Sequence, residues 1–396
     1  MSQKVFVTGM GCISAIGNNV DETLISLSKG KTGIGKIRHL DTLHKNDFVV
    51  GEVKLSNSEL EKKAGIGRYN RTTLLGYLSA KEAIENAKIN NISDARTGLI
   101  SSTTVAGMCN TELLYQDFFE GKINSNFIDN HFSGISTNEI SKHLGITDFT
   151  TTISTACSSA ANAIMLGARM IKNNLLDRVI VGGIDPLSKF TLNGFNTLMI
   201  LDKQWCQPFD ENRRGLNIGE GAAFLVLESE SEVLKHSKKP MAQLIGYGNA
   251  NDAFHQTASS PEGHGALLSM QAAFKVAEIS PDKIDYVNAH GTGTPNNDLS
   301  EGMAMQIMFN QKVPKFSSTK AFTGHTLAAA AGIEAVISIL AIQHSMIFPC
   351  LNRKTNMSDL NIVPVDKLEK NVPINYVLSN SFGFGGNCSS LIFSKN

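Results

Sequence analysis

Two stretches far apart in the chain share one local grammar, and this echo limits the possible folds more than any other feature. Thr150 to Ile171 reads as a strand, a tight turn and a helix of small residues (Ser158, Ser159, Ala160, Ala161, Ala163, Gly167, Ala168). Lys315 to Ile339 repeats that order, with Ala328 to Ala331, Gly332 and Ala335 in its helix. Side chains this small let helix backbones approach closely, so both helices are expected at the centre, against each other across a pseudo-twofold axis. The residues ahead of the helices are less bland: Cys157 in one half, Lys320 and His325 in the other.

Around these units, apolar runs of strand length (Val5 to Val7, Arg178 to Gly183, Ala222 to Leu227) alternate with helical segments (Val20 to Lys29, Leu74 to Lys88). Such alternation predicts an α/β protein with mainly internal sheets. The length of 396 residues allows two or three domains or one duplicated unit, and the 10 prolines are dispersed with no charge run or flexible linker between halves.

With 36 Lys+Arg against 36 Asp+Glu, the chain lacks the basic surplus of a nucleic-acid or anionic-membrane binder. Hydrophobic residues at 42% and charged residues at 18% support a large core. Met1 to Lys4 leads straight into Val5-Phe6-Val7 without the apolar core of a signal peptide, and the apolar run from Ala335 to Phe348 is too short to span a bilayer. A cytoplasmic enzyme without membrane insertion is the expectation. The six cysteines show no CxxC spacing, so neither a metal cage nor a disulfide framework is indicated.

Two glycine-rich matches are weak. Gly30 to Lys36 fits a phosphate-binding loop until Ile37 stands where Ser or Thr should meet magnesium, and it follows a helix rather than a strand. Gly9-Met10-Gly11-Cys12-Ile13-Ser14 opens like a dinucleotide fingerprint after a strand, which predicts a turn there, but Ser14 replaces the third glycine.

Cys157 sits at the mouth of the small-residue helix, where the positive end of the dipole favours thiolate. His290 follows the strand-like Ile284 to Ala289 and precedes Gly291-Thr292-Gly293-Thr294-Pro295. His325 has Lys320 five residues before it and Glu334 nine after it, and a nearby ammonium biases imidazoles toward the neutral form. Ser379 to Cys388 carries glycines whose backbone amides can form an oxyanion hole.

One cysteine, two downstream histidines and a glycine-rich amide loop describe acyl chemistry at a thioester. A papain-like protease also places its histidine about this far downstream, His290 lying 133 residues after Cys157. Its cysteine, however, lies near the mature N-terminus in a different motif.

In order, TACSSA, HGTGTP, SSTKAFTGH and SNSFGFGG resemble the motifs of the β-ketoacyl-acyl carrier protein synthases, type II condensing enzymes of the thiolase superfamily, and the similarity runs nearly end to end. The resemblance implies a thiolase-like five-layered αβαβα core of two similar halves, residues 1–240 with the nucleophile and 241–396 with both histidines and the gate loop. It implies Cys157 as nucleophile, His290 and His325 as catalytic histidines, and Lys320 with Glu334 as their supporting ion pair. The amides of Cys157 and Phe384 would form the oxyanion hole, Phe382 and Phe384 a gate, and Thr292 and Thr294 would bind the pantetheine arm. No metal or bound cofactor is implied beyond the phosphopantetheine arm of the acyl carrier protein, which delivers acyl and malonyl thioesters.

The resemblance further implies a homodimer, or a heterodimer with a chain-length-factor-like subunit. An acidic carrier protein calls for a local basic patch, with Arg68, Arg71, Arg213 and Arg214 as candidates. Leu216-Asn217 replaces a frequent Phe-Val, Asn387-Cys388 stands where Thr-Asn is usual, and Gly121 to Lys142 looks shortened. These departures keep a specialised polyketide or aryl polyene pathway open beside fatty acid synthesis. A coenzyme A-dependent thiolase, with Cys388 as second thiol, and a catalytically silent partner subunit are the rival readings.

Overall fold

The computed structural model describes residues 3–396; Met1 and Ser2, where the first half and the leader reading begin, lie outside the described residues. From the first half come strands β1 (Val5–Ser14), β2 (Thr97–Ser102), β3 (Phe149–Ile153), β4 (Arg178–Asp185) and β5 (Gly221–Ser229), in the spatial order β1-β5-β4-β2-β3. Strands β6 (Ala242–Asn251), β7 (Tyr286–Asn288), β8 (Lys315–Ser317), β9 (Tyr376–Phe382) and β10 (Asn387–Ser394) repeat it as β6-β10-β9-β7-β8. In each set the two inner ladders are antiparallel and the two outer ones parallel. The sets join where β1 runs antiparallel to β6, at Phe6–Gln243 and Val7–Ala242.

Six helices build the layers: α1 (Arg71–Asn86), α2 (Ser133–Leu144), α3 (Ser159–Lys172), α4 (His264–Ala277), α5 (Pro295–Met308) and α6 (Ala330–His344). Helices α1 and α2 bury Leu74, Ala80 and Ile140 against Leu99, Ile180 and Phe224 of the first sheet half. On the far side, α4 and α5 bury Met270, Phe274 and Met305 against Val287, Leu378 and Ile392. Between the sheet halves lie α3 and α6, sharing one core with Val181, Leu225, Leu391 and Phe393. The five layers are the expected thiolase-like αβαβα core.

Small residues make the central contact possible. A Cβ added to Gly332 of α6 would sit 3.5 Å from the Ala160 Cβ of α3, and one on Gly167 would sit 2.5 Å from Val181. Thirteen of the 15 residues of α6 are buried, and a helix apolar on every side is stable in water only when enclosed. The run Leu327–His344 is long and apolar enough to cross a bilayer, but 89% of it is buried inside the protein, where core packing accounts for its composition.

The turn expected at Gly9–Ser14 does not exist. Strand β1 continues through Ser14, past a register shift between Val7 and Gly9. Its glycines serve close packing instead: a Cβ on Gly9 would lie 2.2 Å from the Ala83 carbonyl oxygen, and one on Gly11 2.1 Å from that of Ser79, both on α1. The Gly30–Lys36 segment is a packed loop, with Thr32 Oγ1 donating to the Ala321 carbonyl and Gly33 N to that of Phe322. All six cysteines are free.

Candidate active site

Strand β3 ends at Ile153 and α3 starts at Ser159. The turn between them holds Ala156 at φ +50°, a left-handed conformation costly for any residue with a Cβ. This sharp reversal presents Cys157 beside the first amides of α3. The turn is tied across the molecule by the Asn387 side chain of β10, whose Oδ1 accepts from Ser158 Oγ (2.7 Å), Asn162 Nδ2 (2.9 Å) and Asn249 Nδ2 (2.8 Å).

The second half supplies the imidazoles. His290 lies just past β7, its backbone N–H donating to the buried Glu301 of α5 (2.9 Å), which also accepts from Gly291 N and Asn380 Nδ2. His325 lies past β8, after the single turn Lys320–Thr323, and its Nε2 is 3.0 Å from the Cys157 sulfur. The two imidazoles meet edge-on, centroids 5.3 Å apart at 84°. Sulfur and rings are buried, Cys157 6%, His290 1% and His325 2% exposed, so groups well over 100 residues apart in sequence meet in a water-poor place.

Lys320 organises the rings. Its Nζ donates to the His290 carbonyl (2.5 Å), contacts His290 Nδ1 (3.1 Å), and pairs with Glu334 of α6, whose other oxygen accepts from Ser381 Oγ. An ammonium has donors only, so His290 Nδ1 must be the acceptor and the proton of the neutral ring sits on Nε2. His325 differs: its buried Nδ1 has no partner among the described residues, so its tautomer is set only by the Cys157 sulfur at Nε2.

Burial, with Lys320 adding to it, holds both imidazoles well below the usual histidine range, and His325 lowers His290 further. This is the neutral pair expected from the sequence. The thiol departs from expectation. Burial pushes Cys157 up to about 12, and Lys320 and the Phe384 amide only partly oppose it, while Asp185 and Glu334 add to the rise. The resting sulfur is a thiol that needs a base, and His325 Nε2 is the base in reach. Desolvation outweighs Lys320 and the Phe384 amide, and the Gly383–Phe384 backbone lying against Cys157 is part of that cover.

Cys157, His290, His325, Thr292, Thr294, Phe382 and Phe384 line one cavity of about 370 Å³, with Lys320 and Glu334 behind it. The Phe384 backbone N–H faces the Cys157 sulfur, and the Gly383 backbone comes so close that a Cβ there would lie 2.9 Å from Cys157 N. Both amides expected for an oxyanion hole are therefore adjacent. Phe384 stacks on Phe195 (5.7 Å, 16°), and Thr292 and Thr294 hydroxyls are 2.9 Å apart. Cys388 also lines the cavity, but burial pushes its thiol to about 12 and its charged neighbours, Asp252 and Glu301, raise it further.

Of the four arginines, Arg71 is misassigned: it is buried and holds Glu220 through Nε (2.8 Å) and Nη2 (2.6 Å). Arg213 is engaged with backbone carbonyls, Arg214 lines the cavity, and exposed Arg68 lines a separate one. That second cavity is larger, about 670 Å³, but contains neither Cys157 nor either catalytic-candidate histidine. Asp94, Glu232 and His236 bring ligand atoms within 4.8 Å of one another, yet Arg178 and Lys235 already pair with the carboxylates, and none of the three lines the reactive cavity.

Sequence reasoning missed Glu301, Asp185 and Phe195, and noted Asn387 only as a departure without its role as a tie. Asp185 ends β4 fully buried and joins the halves, accepting from Thr103 Oγ1 (2.6 Å) in the first and Ala328 N (2.8 Å) in the second. Burial raises its carboxyl and that of Glu301, the latter to about 7.

The Lys320–Glu334 pair gives a stability prediction. Lys320→Met leaves the buried Glu334 carboxylate without its counter-charge, with only the Ser381 hydroxyl bonded to it, and is expected to lower unfolding free energy by about 3 kcal/mol. The double variant Lys320→Met/Glu334→Leu should recover most of it. Urea denaturation measures both, and a single variant as stable as wild type would show that the pair carries no such strain.

A sequence model of the β-ketoacyl synthase N-terminal domain matches residues 2–233, and one of the C-terminal domain matches residues 241–354. The chain is 35% identical to 3-oxoacyl-[acyl-carrier-protein] synthase 2 of Staphylococcus aureus (strain N315), covering 100% of this chain and 99% of that protein. It is 30% identical to the protein of the same name from Vibrio cholerae, covering 99% of each. Among solved structures, the ishigamide ketosynthase/chain length factor superposes with TM-score 0.93 at 26% identity, covering all of both chains. A ketosynthase in complex with its chain length factor from Xenorhabdus doucetiae gives 0.87 at 30%, covering 100% of this chain and 98% of that one.

Proposed function

The chain belongs to the β-ketoacyl synthase family, acyltransferases of fatty acid or polyketide elongation, and we propose that it runs a decarboxylative condensation through Cys157, His290 and His325. The observation that carries this reading is the 3.0 Å approach of His325 Nε2 to a buried thiol, beside a second neutral imidazole whose Nε2–H is set by Lys320.

In the first half-reaction the Cys157 sulfur attacks the thioester carbonyl of an acyl group on the phosphopantetheine arm of acyl carrier protein. The thiol proton passes to His325 Nε2 and on to the departing carrier thiolate. The amides of Cys157 and Phe384 stabilise the tetrahedral oxyanion. In the second, malonyl-carrier protein loses carbon dioxide, and its thioester oxygen gains charge as the enolate forms. His290 Nε2–H donates to that oxygen, joined by His325, which accepts at Nε2 while Cys157 is a thiol and can donate from Nε2 once the sulfur is acylated, because its Nδ1 has no partner among the described residues to hold the proton there. The enolate carbon attacks the acyl-Cys157 carbonyl, and the released sulfur takes up one proton. Thr292 and Thr294 hold the arm, and Phe382 and Phe384 gate entry.

The reading includes cytoplasmic action as a dimer. Leu216, lining the cavity beside Phe195 and Ile200, leaves more room than the phenyl group frequent at that position. This and the likeness to ketosynthase/chain length factor pairs support a second reading, a specialised polyketide or polyene pathway with a heterodimeric partner. The test supplies acyl- and malonyl-carrier protein and looks for a β-ketoacyl product with one carbon dioxide per turnover. Carbon dioxide without new carbon–carbon bonds, or no reaction with any acyl length, would remove the proposal.

The depressed imidazoles predict a pH profile. An ordinary histidine of pKa 6.5 would be about three-quarters protonated at pH 6, whereas His325 stays neutral there and keeps its capacity to accept the thiol proton. Acylation of Cys157, followed by intact mass, should therefore hold its rate between pH 8 and 6. A fall centred near 6.5 would contradict a buried neutral base.

A further inference from the structure

Arg213 and Arg214 are neighbours with opposite fates. Arg213 is occupied by carbonyls at every guanidinium nitrogen: Thr294 from Nε (3.3 Å), Asp210 from Nη1 (3.0 Å) and Pro295 from Nη2 (2.7 Å). Arg214 uses one edge only. Its Nε and Nη2 are held by Asp202 (3.3 and 3.0 Å), with Gln204 also on Nη2, while Nη1 makes no hydrogen bond among the described residues. The anchoring carboxylate is 2% exposed and the arginine side chain 53%.

The surroundings favour an anion. Among the described residues, Arg214 is the only Lys, Arg, Asp or Glu that lines the Cys157 cavity. The other polar groups around it include His255, Thr257, Ser259, Asn296 and Asn297, all able to donate. A guanidinium fixed along one edge loses little freedom when its other edge takes an oxyanion, the arrangement in which charged hydrogen bonds are strongest.

We infer that Arg214 Nη1 binds an oxyanion carried by the incoming thioester substrate. This rests on the condensing reading and adds a specificity-determining contact to it. Two oxyanions fit the chemistry, the phosphate of the carrier arm and the free carboxylate of the malonyl group, and they are separable.

The test compares wild type with Arg214→Gln and Arg214→Lys on acyl-pantetheine, acyl-phosphopantetheine, malonyl-pantetheine and malonyl-phosphopantetheine. Acylation is read by intact mass and decarboxylation by carbon dioxide release. If phosphate is the ligand, the kcat/KM preference for phosphopantetheine over pantetheine falls about tenfold in Arg214→Gln. If the carboxylate is the ligand, KM for both malonyl substrates rises about tenfold while the phosphate preference persists. Arg214→Lys retains part of either effect. Equal loss on all four substrates, or no loss on any, overturns the inference. Equilibrium dialysis of phosphopantetheine against pantetheine needs no chemistry: a phosphate preference that disappears in Arg214→Gln upholds the anion site even in a protein that never acylates, and that protein would instead have lost the condensing reading.

Discussion

Cys157→Ala is expected to abolish the acyl-enzyme and to lower condensation by roughly 10⁴-fold or more, the scale on which removal of a covalent nucleophile acts. No substitute is in place. Cys388 shares the cavity and carboxylates raise both thiols, but Cys157 alone has Lys320 and the Phe384 amide opposing the rise and an imidazole at 3.0 Å. Malonyl decarboxylation should survive, because His290 and Lys320 are bonded to each other and not to the sulfur. Intact mass after incubation with acyl-carrier protein decides the matter. Adduct on the alanine variant would transfer the role to another residue, and an unlabelled wild type would favour a silent partner subunit.

For His290→Ala the pattern should reverse. Loss of one preorganised donor to a developing oxyanion costs about 10²–10³-fold, so decarboxylation falls by that factor while acylation continues with His325 at the sulfur. Since His290 is 1% exposed and contacts Lys320 and Phe382, folding must be checked by thermal melt. His290→Gln, which keeps an N–H donor in a similar volume, should restore part of the rate. Acylation lost with decarboxylation intact would exchange the roles of the two rings.

The chain order already contained much of this. The alternation of small-residue helices with short strands pointed to a duplicated α/β core, since the alanines from Ala328 to Ala335 suit close packing of buried helices. Cys157, His290, Lys320 and His325 stood out because each follows a strand at a glycine- or hydroxyl-rich turn. What stayed hidden depends on three-dimensional neighbours. Glu301 reads as an ordinary polar position of a helix, and only burial under the His290 loop gives it a task. Arg71 reads as a surface cation until Glu220, 149 residues later, is seen against it. Gly9 and Gly11 imitate a turn because close contact with a helix and tight reversal both ask for a missing side chain. The thiol's protonation was misjudged for a similar reason: a helix terminus is visible in sequence, and the cover of the 382–386 loop is not.

Because one sheet half delivers the sulfur and the other delivers both imidazoles, their alignment is set by how the two halves are docked. The contact of Ala160 with Gly332, together with Asp185 reaching from Thr103 to Ala328, acts as a spacer between them. Added side-chain volume at this joint in one half therefore has to be matched by a change in the other.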